Sequence, residues 1–148
     1  MNKFHCLALA LTVGSAGAVF AAEPPPKDVI VLDHAQMNAN FAKGGSLLEN
    51  SSFKLAAARR ITAARQAELH EHDTDIFYIV EGTGTLVTGG QMEGGKASGP
   101  GEMRGTKITG GKPRALQKGA VVVIPKGVPH QFTEVTNPFL YFVVKVTD

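Results

Sequence analysis

Two histidines one residue apart, His70 and His72, lie in the stretch from Glu68 to Gly82, ELHEHDTDIFYIVEG. Asp75 follows them closely, and a third histidine, His130, comes much later in the chain. Imidazole is the commonest metal-ligating side chain, and carboxylate oxygen is a harder donor beside it. Three imidazoles and one carboxylate supply most of the inner coordination sphere of a divalent ion and leave positions open for a substrate. Imidazole suits Fe, Mn, Ni, Cu, Zn and Co, and the carboxylate tilts the choice toward Fe(II) or Mn(II).

Elements must bring these groups together. Side chains alternate along a strand, so a strand from Ala67 to His72 places His70 and His72 on one face and Glu71 on the other. The polar break HDTD gives a tight connection. The β-branched and aromatic run Ile76 to Val80, closed by Gly82, gives the next strand. The complement is GAVVVIPKGVPHQFTE, from Gly119 to Glu134. Proline donates nothing to a sheet ladder, so Pro125 and Pro129 bracket a turn, and His130 opens the strand after it. A sheet closing on itself would bring His130 to His70 and His72.

These two stretches resemble the paired motifs of the cupin superfamily. The first motif of that family reads roughly G-x5-H-x-H-x3-4-E-x6-G. His70 and His72 match its histidines and Gly82 its closing glycine. Asp75 stands where the family has glutamate, one residue nearer the histidines and one methylene shorter. The second motif reads G-x5-P-x-G-x2-H-x3-N. Gly119, Pro125, Gly127 and His130 match it at the stated offsets, with Glu134 in the final position. The resemblance covers roughly Phe53 to Val146. It implies an all-β double-stranded β-helix, the jelly-roll barrel, with a short N-terminal helix. It also implies a metal held by His70, His72, Asp75 and His130. Asp75 is alternatively a partner of a ligand imidazole or a general base, which leaves a three-histidine site. The implied function is a metal-dependent enzyme, dioxygenase-like or a lyase or isomerase, acting on a small oxygenated substrate. The alternative is a non-catalytic binder of a sugar or organic acid. Cupins often dimerise, so a homodimer is a further expectation.

Composition narrows the rest. The 148 residues suffice for one domain with one core. A near-balanced 15 basic and 13 acidic residues give no basic face for nucleic acid. Residues 1–21 read as a secretory signal peptide: Lys3, an apolar run from Leu7 to Ala18, and small residues around Ala21 and Ala22. A periplasmic or secreted protein, free of the membrane once processed, is the expectation. Cys6 falls within that leader, so the remaining chain has no thiolate chemistry and no disulfide. There is no G-x-S-x-G elbow, P-loop or dinucleotide fingerprint, so any chemistry belongs to the metal.

The rest of the chain reads as follows. Residues 22–45 form a Pro-rich linker, a possible short strand Val29 to Leu32, and a helix His34 to Lys43. Asp33 caps that helix and Gly44-Gly45 ends it. Residues 46–148 form the barrel. Arg59-Arg60 fall in a strand, so one of the two faces inward, where a guanidinium needs an acid or an anionic ligand, or both lie at a solvated edge. Residues 91–112, QMEGGKASGPGEMRGTKITGGK, read as a glycine-rich insertion without regular structure. Either its Arg104, Lys107 and Thr109 fold over the barrel mouth as a lid and meet an anionic substrate, or the segment is a disordered or packing loop. Phe139 to Val146 is mostly apolar on both faces, which predicts a strand buried between sheets. His34 is expected at the surface.

Overall fold

The structure is a computed structural model that describes residues 23–147. The expected leader, residues 1–21, lies outside the described residues. Among the described residues one helix, α1 (His34–Lys43), precedes thirteen strands. These are β1 (Gly45–Glu49), β2 (Phe53–Arg60), β3 (Ala67–His70), β4 (Asp73–Glu81), β5 (Thr83–Thr88), β6 (Gln91–Glu93) and β7 (Lys96–Gly99), then β8 (Glu102–Gly105), β9 (Lys107–Thr109), β10 (Lys112–Gln117), β11 (Val121–Ile124), β12 (His130–Val135) and β13 (Phe139–Thr147). Two antiparallel sheets carry the fold, with orders β1-β2-β13-β4-β11 and β10-β5-β12-β3-β8-β7. A separate two-stranded ribbon is formed by β6 and β9. This is the all-β jelly roll that the sequence predicts.

The sheets face each other across an aromatic core. Phe77, Phe132, Phe139 and Tyr141 lie within ring contact of one another, walled by Ile79, Leu86, Leu116 and Ile124. Each fully buried side chain of this kind contributes about 1.5–3 kcal/mol through apolar area removed from water. Strand β13 sits mid-sheet between β2 and β4, so its inner residues Phe139 and Tyr141 enter the core. Its outer residue Phe142 meets Phe41 of α1 edge-on at 5.0 Å. The strand is not buried between two sheets as expected: the second sheet covers its inner face, and helix α1 packs on its outer one.

Helix α1 begins and ends where its sequence demands. Gln36 N–H donates to the Asp33 carboxylate and Asp33 N–H to the Gln36 amide oxygen, a reciprocal cap. Gly44, at φ 71°, stops it. His34 is exposed, as expected. Val29 to Leu32 does not form the expected strand; it runs without a sheet partner, and Val29 and Val31 are exposed.

The glycine-rich stretch departs from expectation. Residues 91–112 hold four strands instead of an irregular loop. Strand β8 pairs antiparallel with β3, and β7 closes that sheet edge. The glycines serve close approach: a Cβ on Gly105 would lie 2.2 Å from Met92 Cγ. Weak periodicity here reflects short strands, mostly exposed, that never bury a face long enough to alternate. No helix among the described residues is long and apolar enough to cross a membrane.

Candidate metal centre

Two antiparallel registers build the centre. On the second sheet, His130 of β12 lies opposite Glu68 of β3, and Glu68 lies opposite Arg104 of β8. One pleat along, His70 lies opposite Glu102. On the facing sheet, Asp75 of β4 lies opposite Lys145 of β13. Residues opposite each other in a ladder have neighbouring Cβ atoms, so these registers alone bring complementary charges together. A backbone bond from Gly127 N–H to the His70 carbonyl, 2.7 Å, ties the Pro/Gly turn to the end of β3.

Both imidazoles are oriented by their Nδ1 atoms. His70 Nδ1 donates to Glu102 Oε2 at 2.8 Å, and His130 Nδ1 donates to the Val128 carbonyl at 3.1 Å. Each Nε2 then points into the space between the sheets. Both rings are 3% exposed, and neither Nε2 has a hydrogen-bond partner. Asp75 Oδ2 stands 3.3 Å from His70 Nε2 and 3.6 Å from His130 Nε2. Glu68 Oε2 stands 3.9 and 4.0 Å from the same two nitrogens. Donors about 2.1 Å from one ion and about 100–140° apart are separated by about 3.2–4.0 Å, so this spacing fits a divalent ion. Glu68, His70 and His130 form a metal-capable group, and Asp75 Oδ2 borders the same point. Two buried lone pairs without donors are costly unless a proton or cation meets them.

Electrostatics divide the roles. Burial pushes the His70 pKa down, but Asp75 beside it, with Glu102, reverses this and leaves it above the usual 6.5. Burial lowers His130 below 6.5 against the pull of the Val128 carbonyl, Asp75 and Glu68, so it is neutral at pH 7. Burial would raise Asp75, yet His70 and the Lys145 ammonium, 2.8 Å from Oδ1, hold it below its ordinary value. Glu68 is flanked by Arg104 at 3.3 Å and, more loosely, by Arg60 at 3.9 Å.

Of the four residues singled out in the sequence, His70, Asp75 and His130 meet; His72 does not. Strand β3 ends at His70, and Glu71 and His72 turn the corner between the two sheets. The alternation that was to align His72 with His70 therefore stops one residue too soon. His72 is exposed and packs on Gly101, where a Cβ would lie 2.6 Å from its ring. The residue on the inner face two positions from His70 is Glu68, not His72. Counting back from Gly82 in the motif would have found it: x6 to Asp75, x4 to His70, x1 to Glu68. In that frame glutamate replaces the first motif histidine. Glu102 was hidden in the stretch read as an insertion, in which Arg104, Lys107 and Thr109 had been singled out. Arg104 reaches the centre, whereas Lys107 pairs with Glu93 and Thr109 bonds the Gln91 carbonyl, both outside it.

A small cavity of about 90 Å³ opens beside the centre. Glu68, Asp75, His130, Arg60, Gln131 and Lys145 supply its polar wall. Phe77, Phe132, Tyr141 and Val143 supply the apolar one. Gln131 and Phe132 of β12 line it, whereas Tyr78 of β4 sits on the outer face, 46% exposed.

Comparison with known proteins agrees with the architecture. A family profile described as cupin matches residues 34–148. The crystal structure of BH2720 from Bacillus halodurans superposes with a TM-score of 0.60 at 14% identity, over 86% of this chain and 87% of that one. NMB1881 from Neisseria meningitidis gives 0.51 at 14%, over 81% of this chain and 100% of that one. The Fe(II) form of HppE gives 0.51 at 15%, over 69% of this chain and 49% of that one. At such identities the likeness speaks to the fold. None of the curated proteins matches the chain.

Proposed function

Because the chain belongs to the cupin family, its profile covering residues 34–148, we propose that it is a divalent-metal-dependent enzyme, a dioxygenase-like oxidoreductase acting on a small oxygenated substrate. The observation that carries this reading is the pair of buried Nε2 atoms on His70 and His130, without hydrogen-bond partners and facing carboxylate oxygens beside a cavity. Glu68, His70 and His130 hold the ion, and Asp75 Oδ2, 3.3 Å from His70 Nε2, lies beside them as a further carboxylate. When bound, the ion acts as a Lewis acid toward substrate oxygen or activates dioxygen, Fe(II) and Mn(II) being favoured by the mixed oxygen and nitrogen donors.

The chain does the remaining work. Glu102 fixes the ring of His70 and Val128 that of His130, so both lone pairs are pre-aimed. Lys145 holds Asp75 ionised, which suits it to carry charge at the ion and unsuits it to take up a proton at neutral pH. Phe77, Phe132 and Val143 keep water from the inner wall. The cavity volume favours a small organic acid or diketone over a sugar, since sites for drug-sized ligands run to about 300–1,000 Å³. Export to the periplasm or beyond, drawn from the leader pattern of residues 1–21, and a homodimer complete the proposal.

The test is metal content. Untagged protein, dialysed against Fe(II) or Mn(II) under anaerobic conditions, should retain about one equivalent, as a closed set of deprotonated ligands would. Failure to take up Fe, Mn, Co, Ni, Cu or Zn would remove the proposal. Uptake without turnover of any small acid, phenol or diketone would leave the binding-protein reading in its place.

A further inference from the structure

Three carboxylates, Glu68, Asp75 and Glu102, surround the centre, and three cations, Arg60, Arg104 and Lys145, face them. The cluster is therefore balanced before any ion enters. A divalent ion leaves it two positive charges in excess, in a setting of low dielectric where such an excess is costly. Of the three cations, Lys145 is bonded to Asp75 at 2.8 Å, and Arg104, 3.3 Å from Glu68 without a hydrogen bond at Nη1, lies outside the cavity lining. Arg60 lines the cavity. Its nearest carboxylate, Glu68, is 3.9 Å from Nη2, beyond hydrogen-bond range.

Arg60 is nonetheless held in place. Its Nε donates to Tyr141 Oη at 2.9 Å, and its guanidinium carbon lies 5.1 Å over the Phe132 ring. Fixed by Nε and by the ring, it keeps its two terminal nitrogens for a planar acceptor in the cavity it lines. Gln131 lines the same cavity, with its amide nitrogen bonded to the Ala64 carbonyl at 3.3 Å and its amide oxygen left as an acceptor.

We propose that the substrate is a small carboxylate of a few non-hydrogen atoms, bearing a second oxygen, whose carboxylate is read by Arg60 while its oxygens approach the ion held by Glu68, His70 and His130. The proposal rests on the metal reading above and adds to it a charge and a reader. Arg60 sets specificity by pairing with the acid. Its neighbours Phe132 and Val143 limit length.

The experiment uses Mn(II)-loaded full-length mature protein, with glycolate and its neutral isostere glycolamide as probes, followed by calorimetry and by the Mn(II) EPR signal. Mn(II) affinity is measured first, by equilibrium dialysis, in wild type and in Arg60→Gln. The expected result is glycolate bound at least about tenfold more tightly than glycolamide, the advantage of one charge-assisted pair in a partly buried site. Glycolate binding should be at least about tenfold weaker in metal-free protein. In Arg60→Gln the preference for glycolate should shrink about tenfold while Mn(II) is still bound, at least as tightly as by wild type because one positive charge has left the cluster, and Arg60→Lys should restore part of the preference. Equal binding of the two probes to wild type, or an undiminished preference in Arg60→Gln, overturns this inference and leaves the metal centre standing. Absence of Mn(II) uptake overturns both. Should Arg60→Gln fail to fold, the wild-type comparison of the two probes and of loaded and metal-free protein decides alone.

Discussion

At the scale of single residues, the centre turns on which groups the pleat brings inward. Histidine was legible as the chemistry-bearing residue, and the spacing around Pro125 and Gly127 located His130 without ambiguity. The partner of His70 was not legible from local alternation, because β3 stops where the chain crosses from one sheet to the other. That corner is a tertiary event; no periodicity within ELHEH encodes it. A direct contrast follows. His70→Ala and His130→Ala should each abolish metal binding measured by dialysis, whereas His72→Ala should leave it unchanged within about twofold, since His72 only packs on Gly101. Glu102→Gln should weaken it about 10–100-fold, the usual cost of losing the carboxylate that orients a ligating imidazole.

At the scale of elements, strong local signals became structure and weak ones did not announce themselves. Helix α1 carried its own start and stop in Asp33, Gln36 and Gly44. Strand β13 declared its double burial through apolar residues on both faces. Strands β6 to β9 are short, all but β8 mostly exposed, and each depends on pairing with a neighbour; β8 exists because β3 offers an edge. Arg60 was legible as a strand residue, but its inward face depended on the register Arg60 to Phe139. The helix and the centre should be separable. Phe41→Ala removes the contact of α1 with Phe142 and should cost about 3 kcal/mol by denaturant titration, with metal affinity untouched.

At the scale of the whole molecule, stability and pH are linked through the centre. Asp75 has its folded-state pKa below the ordinary 3.8, so its contribution is complete above that value and vanishes as pH falls toward the folded one. His70 lies above 6.5, so its contribution is complete below the unfolded pKa and is lost as pH rises through the folded one. His130, lowered, has released its proton by then. The melting temperature of metal-free protein should therefore decline as pH climbs beyond 6.5, and Asp75→Asn should abolish that decline; calorimetry across the pH range checks both. Proton and ion compete for the same Nε2, so metal affinity should rise about tenfold per pH unit over that range, until His70 is deprotonated. The centre draws Glu68, His70 and His130 from one wall of the barrel and Asp75 from the other. An ion there would act as a rivet between two plates. Loading it should damp their mutual breathing and slow the flipping of the Phe77 and Phe132 rings wedged behind, a rigidity readable in the NMR line shapes of those aromatic protons.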